Sequence, residues 1–207
     1  MTAKRPLLVL AVVAGATVFV FFLYRVQASP PQFEWIAQMQ NQRAAGSIGG
    51  WQLFTNWVTL VSLGIPFGVL LVGEWKWRTR WTRYFFLFTG LSVGLAGLVN
   101  YLIKISARCL RPFEADTRIL QLSTGGSFSF PSGHSAEAFA AAVMMSLLWP
   151  RWYVVLPALL WACAIAFSRV YLGVHSPADV TAGMIVGSSV SYIFYSLSPK
   201  YPTFAKV

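Results

Sequence analysis

The chain has 207 residues, of which 57% are hydrophobic and 11% are charged, and its mean hydropathy is positive. This composition excludes an ordinary soluble globular domain and is typical of an integral membrane protein. The net charge of +10 would suggest nucleic-acid binding in a soluble chain, but here most of the cations flank apolar runs, so we expect no nucleic-acid partner.

Six apolar segments predict an all-α, polytopic membrane protein. A helix needs about 20 predominantly apolar residues to cross the hydrocarbon core of a bilayer, and segments of that order recur along the chain. They cover approximately residues 7–26, 51–73, 84–104, 135–149, 152–170 and 178–197. No change in composition marks a second domain, so we expect residues 1–207 to form one transmembrane domain with six membrane-spanning helices.

The first apolar segment admits two interpretations. It follows Lys4 and Arg5 and precedes small residues at Val26 and Ala28, as the hydrophobic part of a signal peptide would. Its apolar run of about 18 residues is longer than that of a usual signal peptide, so we expect a retained membrane-spanning helix. The following stretch 29–50 mixes prolines, aromatic and polar residues, which predicts a short helix in the membrane interface. Whether that helix forms a lid over a site stays open.

The loop 74–83 indicates the orientation of the chain. It holds four cations and three tryptophans, the composition of a cytoplasmic loop bordered by interfacial aromatic residues. Counting spans from this loop predicts cytoplasmic termini, with Lys4, Arg5, Lys200 and Lys206 on the inner side of the cell inner (plasma) membrane. The ends of segments three and five and the starts of segments four and six then lie on the external side.

Several cations fall on that external side against the positive-inside rule: Lys104, Arg108, Arg111, Arg118 and Arg169. Ionisable residues beside apolar segments are costly unless they pair with another group or bind a ligand. An anionic ligand would account for them, so we expect the active site at the external membrane boundary.

The first polar cluster contains Lys104, Arg111 and Pro112 at the end of segment three. A spacing of seven residues is about two helical turns, which predicts that the lysine and the arginine project from one side of a helix. A lysine and a planar guanidinium could then bind one phosphate from two directions. The alternative is that both are snorkelling cations at a helix end.

The second polar cluster is Phe130-Pro131-Ser132-Gly133-His134, immediately before segment four. Ser132 is predicted to cap the helix, and Gly133 would let an anion approach the free N–H groups at the positively polarised helix start. His134 would stand beside that anion. The alternative is an ordinary capped helix start with an interfacial histidine.

The third polar cluster runs from Ser168 to Asp179. Ser176 and Pro177 are predicted to cap and begin segment six, which makes Asp179 the third helical residue. Its carboxylate could accept the backbone N–H of the cap, as in a capping box, or the Nδ1–H of His175. The second arrangement would free Nε2 of the histidine as a nucleophile.

Together the three clusters resemble the signature of the type-2 phosphatidic acid phosphatases, which share a catalytic core with vanadium-dependent haloperoxidases and bacterial acid phosphatases. The signature Lys-x6-Arg-Pro, Pro-Ser-Gly-His and Ser-Arg-x5-His-x3-Asp is complete between residues 104 and 179. The resemblance implies a membrane phosphatase similar to the bacterial enzymes that act on phosphatidylglycerophosphate or undecaprenyl diphosphate.

The resemblance implies that five residues bind the phosphate oxygens: Lys104, Arg111, Ser132, Gly133 and Arg169. A site at the outer boundary would admit a lipid headgroup while the hydrocarbon chain stays in the bilayer. We therefore expect a membrane lipid phosphate as substrate, of the undecaprenyl diphosphate, phosphatidylglycerophosphate, phosphatidic acid or lipid A type.

The resemblance also implies catalytic roles for three residues. His175 would attack phosphorus, His134 would protonate the leaving oxygen and then activate water, and Asp179 would orient His175. Members of the family need no metal, and this sequence offers no obvious carboxylate cluster for one. Cys109 and Cys163 are not spaced as metal ligands, and we expect neither a disulfide nor a cofactor.

Two other functions use the same cations. A lipid phosphotransferase would pass the phosphate from His175 to a second lipid rather than to water, and the sequence leaves this open. A lipid-phosphate binder or transporter would need the cations but not an oriented nucleophile, so the pairing of His175 with Asp179 favours an enzyme. Haloperoxidase chemistry is disfavoured because those relatives are soluble, whereas this chain has six apolar segments.

Overall fold

The computed structural model describes residues 4–44, 46–76 and 80–198, and the secondary structure in these ranges is entirely helical. The helices are α1 (Lys4–Val26), α2 (Pro30–Asn41), α3 (Ser47–Asn56), α4 (Val58–Lys76), α5 (Arg80–Ala107), α6 (Pro112–Ala115), α7 (Gly133–Leu148), α8 (Trp152–Tyr171) and α9 (Pro177–Leu197). The predicted all-α membrane fold is confirmed.

Within the described ranges, five helices are long and apolar enough to cross a bilayer: α1, α4, α5, α8 and α9. Their large apolar side chains are widely exposed on the outside of the bundle, as lipid contact requires. The other apolar helix, α7, has 16 residues and is shorter than the ~20 that a full span needs. The chain is a membrane protein, and its count of six spans stays a prediction.

The short helix α7 lies at the centre of the bundle and packs against α4, α5, α8 and α9. Its closest neighbour is α9, where Gly183 and Gly187 bring the two backbones together. A Cβ on Gly187 would overlap the carbonyl oxygen of Ala136 and lie 2.9 Å from the amide nitrogen of Ala140. These two glycines therefore allow the close packing of α7 and α9.

The glycines of α5 do not have that role. A Cβ on Gly90, Gly94 or Gly97 would have no neighbouring atom within 4 Å. These three glycines therefore do not serve close helix packing, because the face of α5 that carries them is not in close contact with another helix.

The predicted second segment, 51–73, is divided between two helices. Residues 51–56 belong to α3, which ends at Asn56, and a single residue, Trp57, separates it from α4. The side chains of α3 explain its separate course, because Gln52 Nε2 donates to the carbonyl of Leu122 at 2.6 Å and Thr55 is completely buried. These polar contacts bind α3 to the loop beside the site instead of to lipid.

The cationic loop is only partly described. Trp77, Arg78, Thr79, Lys200 and Lys206, on which part of the predicted orientation rests, lie outside the described residues.

Two tryptophans of the loop region differ in their surroundings. Trp75 is 86% exposed, whereas Trp81 is buried, with its ring centroid 5.1 Å from that of Phe85 and 5.3 Å from that of Trp149. Trp81 is therefore a core residue of the bundle and not part of an interfacial aromatic belt.

Helix α2 confirms the predicted short helix after the first segment. It is fixed at its end by Gln40, whose amide nitrogen donates to the carbonyls of Leu120 at 3.0 Å and Tyr171 at 3.3 Å. The amide oxygen of Gln40 accepts the N–H of Leu120 at 2.8 Å. Gly173 makes this approach possible, because it has a left-handed φ of 74° and a Cβ there would overlap the carbonyl oxygen of Leu120. A helix remote in sequence thus holds the loops next to the site.

Candidate active site

The three polar clusters meet at one end of the bundle, as the sequence predicts. Lys104 near the end of α5 donates from Nζ to the carbonyls of Phe128 at 2.8 Å and Ser129 at 3.3 Å, just before α7. Arg111 Nη1 lies 2.8 Å from the carbonyl oxygen of Val174 and 3.5 Å from Nε2 of His175, between α8 and α9. The structure therefore brings residues from all three motifs into one site.

Arg111 reaches the site by a route that the sequence did not predict. Helix α5 ends at Ala107, and Arg108 adopts a left-handed φ of 50°, so Lys104 and Arg111 do not share a helix face. The proline contributes to this course, because Pro112 begins the short helix α6 and Arg111 caps it in an extended conformation. The prediction of one helical face is wrong, although both side chains still reach the same site.

The guanidinium of Arg111 is buried among backbone carbonyls. In addition to Val174, it donates from Nε to the carbonyl of Gly126 at 2.9 Å and from Nη2 to that of Phe128 at 3.0 Å. A Cβ on Gly125 would lie 2.8 Å from Nε of Arg111, so a glycine is needed for the loop to pass this close. The loop 123–129 therefore wraps the cation.

Arg169, in the last turn of α8, is only 3% exposed. Its Nη1 lies 3.2 Å from Oγ1 of Thr55 and 3.5 Å from Oγ of Ser123, and its Nη2 donates to the carbonyl of Thr124 at 3.3 Å. Its Nε is buried without a hydrogen-bond partner. One donor of this arginine is thus available to an incoming acceptor.

The three cations share an electrostatic feature. Within the described residues, no ion pair joins Lys104, Arg111 or Arg169 to a carboxylate. Buried charges are costly unless an opposite charge and hydrogen bonds compensate them. Here neutral carbonyl and hydroxyl oxygens supply the hydrogen bonds, and no described carboxylate pairs directly with a cation, so the site is suited to an anion.

His175 lies in the turn between α8 and α9 and is 3% exposed. The side-chain nitrogen of Arg111 can only donate, so its 3.5 Å contact with Nε2 favours the tautomer in which Nε2 carries a lone pair and Nδ1 carries the proton. Burial, followed by the positive charges of Lys104, Arg111 and Arg169, lowers the pKa of His175 well below its usual value. The imidazole is therefore neutral at physiological pH, and its Nε2 can act as a nucleophile.

Asp179 adopts the first of the two predicted arrangements and lies close to His175 without a direct hydrogen bond to it. As the third residue of α9, it accepts the backbone N–H of Ser176 at 2.7 Å, while the hydroxyl of Ser176 accepts the N–H of Asp179 at 3.2 Å. This capping box is confirmed. The same oxygen, Oδ2, lies 3.6 Å from Nδ1 of His175, which is too long for a direct hydrogen bond. The other oxygen, Oδ1, is buried without a partner.

The start of α7 has the predicted cap. The hydroxyl of Ser132 accepts from Ser135 N at 3.5 Å and from Ser135 Oγ at 3.0 Å, and Ser132 N donates to the carbonyl of Asp179 at 3.0 Å. Gly133 and His134 are the first two helical residues, whose N–H groups have no intrahelical partner. His134 is half-buried and makes no hydrogen bond within the described chain, so its ring is available to a ligand.

Two buried hydroxyl residues of the site were not predicted from the sequence. Ser129 Oγ lies 2.5 Å from Oδ2 of Asp179 and 3.4 Å from Nδ1 of His175. Thr55 contacts Arg169, which is 114 residues away. The position of Ser129 next to the second motif could have drawn attention to it, whereas nothing in the sequence around Thr55 points to the site.

Comparisons with known proteins agree with this geometry. The model of the PAP2 superfamily matches residues 85–202, which include the three motifs. The chain belongs to the PAP2 superfamily. The site described above therefore lies in the part of the chain that carries the family signature.

Two curated relatives illustrate the range of this superfamily. The chain is 27% identical over 154 residues to the lipid A 4'-phosphatase of Bacteroides thetaiotaomicron, covering 71% of this chain and 68% of the relative. It is 30% identical over 135 residues to the undecaprenyl-diphosphatase BcrC of Bacillus subtilis, covering 65% and 68%.

A solved structure shows a similar fold. The crystal structure of a transmembrane PAP2-type phosphatidylglycerolphosphate phosphatase from Bacillus subtilis superposes with a TM-score of 0.70 at 24% identity, covering 88% of this chain and 93% of that one. The two chains thus share the same overall fold.

Proposed function

We propose that this PAP2 member is an integral membrane phosphatase that hydrolyses a lipid phosphate or lipid diphosphate through a phosphohistidine on His175. The observation that carries the proposal is a buried imidazole whose Nε2 lies 3.5 Å from Nη1 of Arg111, in a site where Arg111 and Arg169 are buried and have no carboxylate partner among the described residues. A site that only bound phosphate would need the cations but not the nucleophile.

Phosphate binding is assigned to Lys104, Arg111 and Arg169, with Ser132 and Gly133 at the start of α7. The cations would replace their carbonyl contacts in the loop 123–129 by contacts with phosphate oxygens. Charge on the equatorial oxygens is then neutralised during transfer, which is the main way in which proteins accelerate phosphoryl transfer.

The reaction has two steps. In the first, Nε2 of His175 forms a bond to phosphorus while the bond from phosphorus to the leaving oxygen breaks, and His134 protonates that oxygen. In the second, His134 takes a proton from water, the water oxygen attacks phosphorus, and the bond to Nε2 breaks. Asp179 stabilises the imidazolium formed in between. No metal or other cofactor is assigned a role.

The substrate that we propose is a membrane lipid of the undecaprenyl diphosphate, phosphatidylglycerophosphate or phosphatidic acid type. The names of the similar proteins, which include a lipid A 4'-phosphatase and an undecaprenyl-diphosphatase, support this class. The position of the site at the ends of long apolar helices also supports it, because a headgroup can enter while the chain stays in lipid.

We also infer the location of the protein. The single domain 1–207 would lie in the cell inner (plasma) membrane, with both termini cytoplasmic and the site facing the periplasm or exterior. The cations of the loop 74–83, at the opposite end of α5 from Lys104, support this orientation.

The function is tested by phosphate release from detergent-purified protein given undecaprenyl diphosphate, phosphatidylglycerophosphate, phosphatidic acid or lipid A, with EDTA present. We expect release from at least one lipid and none from His175→Ala. Transfer of the phosphate to an added lipid alcohol would identify a phosphotransferase instead. Lipid binding without turnover by the folded wild-type protein would support the binding alternative.

A further inference from the structure

Ser129 lies between the nucleophile and the carboxylate. Its side chain is completely buried, and its Oγ is 2.5 Å from Oδ2 of Asp179 and 3.4 Å from Nδ1 of His175. The direct separation between Nδ1 and Oδ2 is 3.6 Å. The hydroxyl therefore makes the shorter contact with each of the two groups.

The positions of the protons on Ser129 and His175 follow from which of the contacting atoms can donate a hydrogen bond. An ionised carboxylate only accepts, so the single hydroxyl proton of Ser129 is donated to Asp179. The oxygen of Ser129 can then only accept from His175, which requires that Nδ1 carries a hydrogen. Arg111, which can only donate, independently favours a lone pair on Nε2 of the same ring, at a distance of 3.5 Å. Both contacts specify one tautomer, and it is the tautomer that a nucleophilic Nε2 needs.

We propose that Ser129 is a positioning residue for the reaction: its hydroxyl connects Nδ1 of His175 to Asp179 and so fixes the tautomer and ring orientation of the nucleophile. The inference rests on the proposed function, because it assigns to His175 the role of nucleophile. It adds a residue that lies outside the three-part signature and alters the assignment of Asp179, which acts on His175 through the serine hydroxyl.

The backbone of Ser129 is held independently of its side chain. Its N–H donates to the carbonyl of Cys109 at 2.9 Å, and its carbonyl accepts from Lys104 Nζ at 3.3 Å. Asp179 also keeps its bond from the backbone N–H of Ser176 when the serine hydroxyl is absent. Removing the hydroxyl should therefore leave the loop and the capping box in place while it removes the two shorter contacts between His175 and Asp179, so that only the direct separation of 3.6 Å remains.

The first test is kinetic. We expect Ser129→Ala to lower kcat about 10- to 100-fold with a change in KM of less than about threefold, because the cations that bind phosphate are untouched. Ser129→Thr, which keeps a hydroxyl, should recover most of kcat, whereas Ser129→Cys, which keeps a similar volume but only a weak donor, should not. Ser146→Ala is the matched control. Ser146 lies in α7, the helix that follows Ser129, and its hydroxyl donates to the carbonyl of Ala142 in the same helix.

The second test reads the tautomer directly. The chain has two histidines, so in a His134→Gln background ¹⁵N-labelled histidine reports His175 alone. We expect the wild-type serine to give a protonated Nδ1 and a bare Nε2, and Ser129→Ala to give a mixture of tautomers. The melting temperature of each variant, measured in the same detergent, separates this effect from a loss of folding.

The two tests distinguish the inference from the proposed function. If the wild-type protein is active and folded Ser129→Ala and Ser129→Cys keep full kcat and a single tautomer, the role of Ser129 is overturned and the phosphatase stands. If no lipid is hydrolysed but the tautomer changes in Ser129→Ala, the positioning role is kept and the phosphatase fails. Should Ser129→Ala not fold, the same comparison of kcat and tautomer is made with Ser129→Cys.

Discussion

Arg111 and Arg169 are two cations buried in the site. Each is 3% exposed, and each has carbonyl or hydroxyl oxygens where a carboxylate would otherwise be expected. Neutral oxygens offset only part of the cost of burying a cation, and an anion at this place would offset more. A bound phosphate would therefore offset part of the cost of burying these two arginines, which is one source of the affinity of the site for phosphate.

Thr55 offers a test of how that affinity depends on an outer helix. We expect Thr55→Val, which has nearly the same shape but no hydroxyl, to lower kcat/KM about 10-fold, because a hydrogen bond to a charged group contributes about 1.5–3 kcal/mol. Thr17→Val is the control, because Thr17 bonds only within α1. Unchanged kinetics of Thr55→Val, measured by phosphate release, would show that Arg169 does not depend on α3.

The pKa of His175 predicts a pH dependence of stability. In the folded protein it lies well below the usual value, and in the unfolded chain it is about 6.5. Below about pH 6.5 the histidine of the unfolded chain binds a proton that the folded chain does not bind. The contribution of His175 to the free energy of unfolding is therefore constant above that pH and decreases as the pH falls below it.

We therefore expect His175→Asn to lose less melting temperature between pH 7.5 and pH 5 than the wild-type protein does. The measurement is a thermal scan at both pH values in one detergent. An equal loss in the two proteins would mean that His175 already titrates near its ordinary value in the folded state.

The sequence predicted the meeting of the motif residues but not their full surroundings. Ser132, Ser176 and Asp179 take the capping positions that their order along the chain indicates, because caps are set by neighbours within three residues. Ser129 and Thr55 were missed, since their contacts join residues that are 50 and 114 positions apart. The catalytic and binding roles of the motif residues stay predictions.

At the level of elements, the contact between α7 and α9 holds two of the three motifs in place. The backbone N–H of Ser132 at the start of α7 donates to the carbonyl of Asp179 in the first turn of α9. Gly183 and Gly187, in the next turns of α9, then pack closely against the backbone of α7. The distance between His134 and His175 is thus set by how closely two helix backbones pack.

Gly187 tests this packing. We expect Gly187→Ala to destabilise the protein by about 1–3 kcal/mol, because the added methyl group overlaps backbone atoms of α7 that cannot move independently. Gly90→Ala is the matched control, since a Cβ there has free space and alanine favours helix by up to about 1 kcal/mol. The measurement is the fraction of monodisperse protein left after heating in detergent. Equal loss in both variants would contradict the account of the α7–α9 contact.

Helix boundaries could be predicted where an apolar run decides them and not where polar contacts do. Helix α8 begins and ends within a residue or so of the predicted segment 152–170. The division of 51–73 between α3 and α4, and the end of α5 before Arg111, depend on bonds to distant loops, such as that from Gln52 to Leu122. The pattern of apolar residues contains no information about those partners.

For the whole molecule, the site and the cationic loop lie at opposite ends of the same long helices. Helix α5 runs from Arg80 to the turn of Lys104, and α8 runs from Trp152 to Arg169 and on to His175. Arg80 and Trp152 therefore lie on one side of the membrane, and the site lies on the other.

This arrangement predicts a labelling pattern in intact cells. In a background of Cys109→Ala and Cys163→Ala, we expect Gln121→Cys, in an exposed loop beside the site, to react with a membrane-impermeant maleimide. Trp152→Cys, at a position that is 78% exposed at the other end of α8, should react only after the membrane is permeabilised. The reverse pattern would place the site in the cytoplasm and contradict the proposed orientation.

The covalent intermediate is the most direct test of the proposed mechanism. Purified protein is mixed with a ³²P-labelled lipid phosphate that it hydrolyses, quenched in base within the first turnover, and analysed for labelled peptides. We predict a base-stable, acid-labile label on the peptide that contains His175 in the wild-type protein, and none in His175→Ala. Rapid phosphate release by the wild-type protein with no label on His175 would contradict a phosphohistidine mechanism.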